Sequence, residues 1–164
     1  MHYWLSLAVF LPALVIFVAG IFLLLKKEIP WIQPPTSKGV VSNEIPMVDF
    51  QAMLEASRLH PEVSIDSWSD IDRIDVRAGK GIAKIRAKSG WEVQIDTKTA
   101  DVLNVAYRRS DIIEQIHDGS YFSDAVKLYV FLPTGLLLII MWGTGVYLFL
   151  LPRTRKWRKA RKAR

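Results

Sequence analysis

The sequence predicts a membrane protein of mixed α+β class, with two transmembrane helices flanking a small extracytoplasmic domain in which a helix packs on an antiparallel sheet. Two observations place the membrane helices: Tyr3 to Leu25 is a run of 23 residues and Leu128 to Leu151 a run of 24, and neither contains a charged side chain. As helices each reaches about 35 Å, enough to cross a hydrocarbon core of roughly 30 Å. A third observation places the sheet. Between the two runs, four short segments alternate apolar and polar residues, the signature of strands with one face buried.

The first run, within a transmembrane segment at 1–25, competes with a cleaved signal peptide. No basic segment precedes it, the run is long, and "VAGIFLLLKK" offers no small-x-small site ahead of the lysines, so an uncleaved anchor is expected. Pro12 and Pro133 each close a "VFLP" tetrapeptide and predict a kink in each span. Residues 26–39 include "EIPWIQPPTSKG", whose prolines predict a semi-rigid linker, with Trp31 suited to the membrane interface.

The sheet domain is expected at 40–109. "PMVDFQAMLEASRL", from Pro46 to Leu59, carries a proline fit for a first helical turn, Asp49 near the positive helix end, and Met47, Phe50, Met53 and Leu54 at helical spacing. His60-Pro61 stops that helix. Ile74 and Val76 then begin the alternation; Ala83, Ile85 and Ala87 continue it, followed by Trp91, Val93 and Ile95, and by Leu103, Val105 and Tyr107. Short turns at "AGKG", "KSG" and "DTKTAD" make these strands an antiparallel meander, one face on the helix and one in water. At 110–124, Ser110 or Asp111 caps "DIIEQIH", which leads to "IHDGSYF" and the membrane-facing aromatics Tyr121, Phe122 and Tyr129. The second span occupies 125–151 and a basic tail 152–164.

Charge sets the orientation. All 16 acidic residues lie between Glu28 and Asp124, whereas the tail holds Arg153, Arg155, Lys156, Arg158, Lys159, Arg161, Lys162 and Arg164 and no acid. The positive-inside rule puts this tail, and with it the N-terminus, in the cytoplasm of a bacterial inner membrane, and the acidic middle segment outside. The overall charge of +6 therefore reflects the tail, which suits anionic lipid headgroups rather than nucleic acid. The chain has no cysteine, which excludes disulfides, thiol catalysis and thiolate metal sites.

"GWEVQIDTKTADVLNV" resembles the centre of the PepSY domain, a strand ending in an acid, a turn and a second strand. "IHDGSYF" through "TGVYLFLLP" resembles the PepSY-associated transmembrane family, where a His-x-Gly element precedes a helix ending in a Ser/Thr-Gly-aromatic pattern. Where that family usually has a turn glycine, this sequence has Ala100. The resemblance implies a PepSY-like outer domain. It also implies kinship with two kinds of protein: haem-carrying reductases linked to iron–siderophore uptake, and PepSY domains that bind or restrain extracytoplasmic proteases.

Chemistry-bearing residues are sparse. A transmembrane haem b needs paired axial histidines within the bilayer. Neither run contains one, His2 and His117 lie outside them, and Met141 is ordinary helix filler as readily as a ligand. His117 is the weak candidate for a cofactor contact, against a simpler role in closing its own helix by hydrogen-bonding to the last carbonyls. Asp66, Asp70, Asp72 and Asp75 lack the glycine and terminal glutamate of a calcium loop. Asp49, Ser57 and His60, and the turn acids Asp96 and Asp101, carry no nucleophile or acid–base motif. No catalytic or metal-ligating residue is therefore assigned.

Small residues supply a different signal. Gly135, Ile139, Gly143 and Gly145 in the second span, and Ala13 and Gly20 in the first, permit close helix approach, either between the spans or to a partner subunit or second copy. The expected function is non-catalytic: an accessory subunit or assembly and interaction factor of a larger membrane complex of redox or iron-uptake character. A haem-binding dimer and a protease-restraining domain are the alternatives.

Overall fold

A computed structural model describes residues 2–41 and 48–162, with side chains described over 9–41 and 48–151. Two compact units emerge, one formed by Met1–Gly20 with Glu114–Arg164 and the other by Ile21–Ile113.

The second unit holds the helix and antiparallel sheet. Helix α2, Phe50–Arg58, starts later than the sequence pattern suggests because the Asp49 side chain accepts from Ala52 N at 2.8 Å and so defines the N-cap. Pro46 and Met47 lie outside the described residues. Met53 and Leu54 are buried as expected, but Phe50 is turned outward, packing edge-on against Trp68 at 5.5 Å. Strands β1 (Ile71–Arg77), β2 (Ile82–Ala87), β3 (Trp91–Asp96) and β4 (Val102–Tyr107) form a meander in that spatial order. Ala83 pairs with Ile95 and Ile85 with Val93, which puts these four side chains on one face. They meet Met53, Leu54 and Ala56 from α2, with Val63 and Ile65, in a single core.

The opposite face differs from the sequence expectation. It does not lie in water on the two central strands: Ile82, Lys84, Glu92, Gln94 and Asp96 are all buried. The cause is the proline-rich segment, expected to be a linker beside the domain, which instead lies along this face. Gln94 Nε2 donates to Pro35 O at 2.9 Å and its Oε1 accepts from Ser37 N at 2.8 Å. Further along, Asp96 Oδ2 accepts from Val40 N at 2.6 Å and Lys80 O from Gly39 N at 2.9 Å. Gly81 has φ +64° and, like Gly39, touches backbone where any side chain would stand, so two glycines admit the strap.

Helix α1 (His2–Leu24), which belongs to the other unit as far as Gly20, runs through Pro12. Helix α3, Arg109–Asp118, links the two units and takes both Ser110 and Asp111 into its first turn. One turn of helix, α4 (Asp124–Val126), passes through a π turn at Lys127–Phe131 into α5, Leu132–Lys162. The wide turn falls just before Pro133, which has no N–H to give, and Thr134 Oγ1 donates to Val130 O at 2.7 Å. Asp124–Leu151, 28 residues, is long and apolar enough to cross a membrane. The described apolar part of α1, Val9–Leu24, is shorter.

Candidate functional site

The covered face of the sheet holds a charged network. Cross-strand register sets Arg86 opposite Glu92 and Lys84 opposite Gln94. The fully buried Glu92 carboxylate accepts from Lys84 Nζ at 3.0 Å, Gln94 Nε2 at 2.8 Å and Arg108 Nη1 at 2.8 Å. Arg108, brought in just after β4, also grips Asp111 at 3.1 Å from the first turn of α3. Burial depresses Lys84, and the opposing pull of Glu92 does not fully restore it. Burial disfavours charge on Arg108 too, but Asp111 and Glu92 outweigh it and raise its pKa. Around the same strand end, Ser110 N donates to Ile32 O at 2.8 Å, and the Arg109 guanidinium stacks on Trp31 at 4.7 Å and Tyr107 at 5.4 Å.

Asp96 closes the other end. Burial would raise its pKa, but hydrogen bonds from the backbone of Val40, Lys98 and Thr99 hold it below the usual carboxylate value. Its role is to bind the strap and the following turn, where Ala100 adopts φ 66°.

His117 does not close its own helix. Its Nδ1 lies 3.0 Å from Ile16 O in α1, and because a carbonyl only accepts, Nδ1 is the donor of this bond. The ring lies close over Gly20, where an added Cβ would come within 3.4 Å of Cε1. Asp118 next to it binds Lys127 Nζ at 2.6 Å and Ser120 N at 2.9 Å. Burial opposes ionisation there, but the lysine and serine contacts prevail and bring Asp118 to about 2. Gly119 follows with φ +84°, its Cα against the Phe131 ring, so that Phe122 can stack on Phe131 at 6.4 Å.

The small residues named from sequence separate into two groups. Ala13 is buried and Gly20 meets His117. Among the described residues nothing lies within 4 Å of where a Cβ would stand at Gly135, Gly143 or Gly145, and Ile139 is 66% exposed. They do not join the two helices to each other among the described residues. The eight basic tail side chains and that of His2 lie outside the described side chains.

The remaining candidates are engaged locally. Ser57 Oγ donates to Met53 O at 2.8 Å, His60 Nδ1 is 3.4 Å from Glu62, and Asp101 binds Thr99 Oγ1. Asp70 caps the turn at Ser67, Asp75 holds Arg77, Asp72 lies 3.7 Å from Arg73, and Asp66 offers its backbone to Arg58 and Asp70. Met141 is exposed. Sequence reasoning missed the buried network of Lys84, Glu92, Arg108 and Asp111. Its one legible sign was the opposition of Lys84 and Arg86 on one strand to Glu92 on the next.

The family model described as PepSY-associated TM region matches residues 1–164, the whole chain. No curated protein and no solved structure matches it.

Proposed function

We propose, because the chain belongs to the PepSY-associated TM region family, that it is a membrane-anchored, non-catalytic interaction protein: an accessory subunit or assembly factor of a larger membrane complex, of redox or iron-uptake character. On this reading α1 and α5 both cross the inner membrane, the basic tail stays in the cytoplasm and the sheet domain faces the periplasm.

The observation that carries the proposal is a face of α5 that no described side chain covers. Gly135 and Gly143 fall on one stripe with exposed Ile139, flanked by exposed Leu136 and Trp142, and no described atom lies within 4 Å of where a Cβ would stand at either glycine. In lipid, helices associate through such close backbone approach. The docking partner is a helix of another membrane subunit. The sheet domain adds a rigid outer module, its central strands closed on both faces.

His117 supports a second reading. An imidazole whose Nδ1–H is fixed by a backbone carbonyl has the orientation that metal-binding histidines commonly show. A single chain places only one such ring among the described residues, so a haem b would need the His117 or His2 of a second copy.

Extraction of the native protein in mild detergent, followed by mass spectrometry and an absorption spectrum of the same fraction, tests both. Stoichiometric membrane subunits with a colourless isolated chain are expected. A chain that emerges alone sinks the accessory role, and a Soret band in the isolated chain that disappears in His117→Ala would establish the haem reading instead.

A further inference from the structure

Arg86 is largely buried and makes no side-chain hydrogen bond among the described residues. Its side chain is 14% exposed, its Nε is sealed from solvent with no hydrogen-bond partner among the described residues, and its ion pair with the Glu92 carboxylate is a loose one at 3.8 Å, too long for a hydrogen bond. The nearby acids are already occupied. Glu92 accepts from Lys84, Gln94 and Arg108, and Asp111 accepts from Arg108 and Ser110. Directly across the β1–β2 pair stands Arg73, 60% exposed, whose own ion pair is a loose one with exposed Asp72 at 3.7 Å.

Two like charges placed opposite each other on one sheet face repel. Here Arg73 and Arg86 face the same side, with Arg108 adding a further positive charge to the field at Arg86. Cross-strand neighbours lie about 5 Å apart at Cα, close enough for two guanidinium groups to converge on one anion. A carboxylate presents two oxygens and saturates one fork. A phosphate group has enough acceptor oxygens to serve both.

We propose that Arg73 and Arg86 form an oxyanion site for a phosphate group on the polar face at the β1 edge, supplied by inorganic phosphate or by a phospholipid headgroup. Arg86 is the buried half of the clamp and Arg73 the exposed half through which the anion arrives. The site is independent of the α5 face.

The test is thermal unfolding of the full-length protein in a neutral detergent while phosphate replaces chloride at fixed ionic strength. A saturable rise in Tm is expected, with apparent affinity weakened at least tenfold by Arg73→Gln and by Arg86→Lys. Arg73 is exposed, so its variant keeps the fold, which circular dichroism verifies. Dihexanoylphosphatidylglycerol below its micelle concentration identifies the source. A rise with this lipid assigns a headgroup, a rise with phosphate alone assigns the free anion, and either supports the site. No phosphate-specific rise, or one that both variants retain undiminished, overturns it.

Discussion

Removing the Glu92 carboxylate is the most informative single change in the sheet domain. Glu92 is fully buried and is the one hydrogen-bond acceptor of Lys84 among the described residues, whereas Arg108 keeps Asp111 if Glu92 is lost. Glu92→Ala therefore strands the Lys84 ammonium and also takes from Arg86 its one ion-pair partner among the described residues, and breaking such a buried pair from one side costs about 3–5 kcal/mol. A domain of this size has a total stability of about 4–10 kcal/mol, so the variant should be near its unfolding threshold. Lys84 escapes part of the penalty by releasing its proton. A lysine depressed in the folded state binds fewer protons there than in the unfolded chain, so the variant gains stability as pH rises from 7 towards 10, more steeply than the parent. Urea melts of the full-length protein in detergent, followed through tryptophan fluorescence, to which Trp31, Trp68 and Trp91 of this unit contribute, read both effects. The double change Lys84→Met with Glu92→Leu should recover the part of the loss that comes from the stranded ammonium, because two apolar groups replace that pair, while Arg86 and Arg108 still lose their contact with Glu92. A Glu92→Ala loss below about 1 kcal/mol, or a double variant no better than the single, refutes the reasoning.

His117→Ala removes the hydrogen bond to the Ile16 carbonyl and should cost about 0.6–1.7 kcal/mol, read by unfolding in lipid nanodiscs. Ala100 occupies the left-handed region at φ 66°, so Ala100→Gly should stabilise the domain by about 0.5–1 kcal/mol in the same urea melt. Asp96 is depressed in the folded state, so its contribution is present above the ordinary carboxylate value and is lost as pH falls below it. Protection of the Val40 and Lys98 amides from hydrogen exchange, measured against the intrinsic rate at each pH, should therefore fall on acidification below about pH 4, and Asp96→Asn should remove that dependence.

Much of the architecture is visible as periodicity. Alternation at Ala83, Ile85 and Ala87 and at Trp91, Val93 and Ile95 marks two central strands whose apolar sides do form the core. The same alternation misleads about the other side, since Lys84, Glu92 and Gln94 are as deeply buried as the isoleucines. Their cover is the strap, which docks through main-chain groups of Pro35, Ser37 and Val40 and so leaves no pattern in side-chain type. His117 shows the same limit. Its partner is a backbone carbonyl about a hundred residues earlier, which no local spacing marks. Phe50 has the right helical phase for the core, yet the late start set by Asp49 and the presence of Trp68 leave it outside. The departure at Ala100 had a physical counterpart in the unusual φ, because the turn keeps the geometry that glycine ordinarily serves.

At the centre of the proposed function is the stripe of α5 that no described side chain covers, as a docking face for another membrane subunit. A photo-crosslinking residue placed at Ile139, between Gly135 and Gly143 on that stripe, and activated in intact membranes tests it most directly. The account predicts one discrete adduct with a different membrane protein, lost when Gly143→Leu blocks close approach. Adducts with lipid alone, or with a second copy of this chain alone, would contradict it.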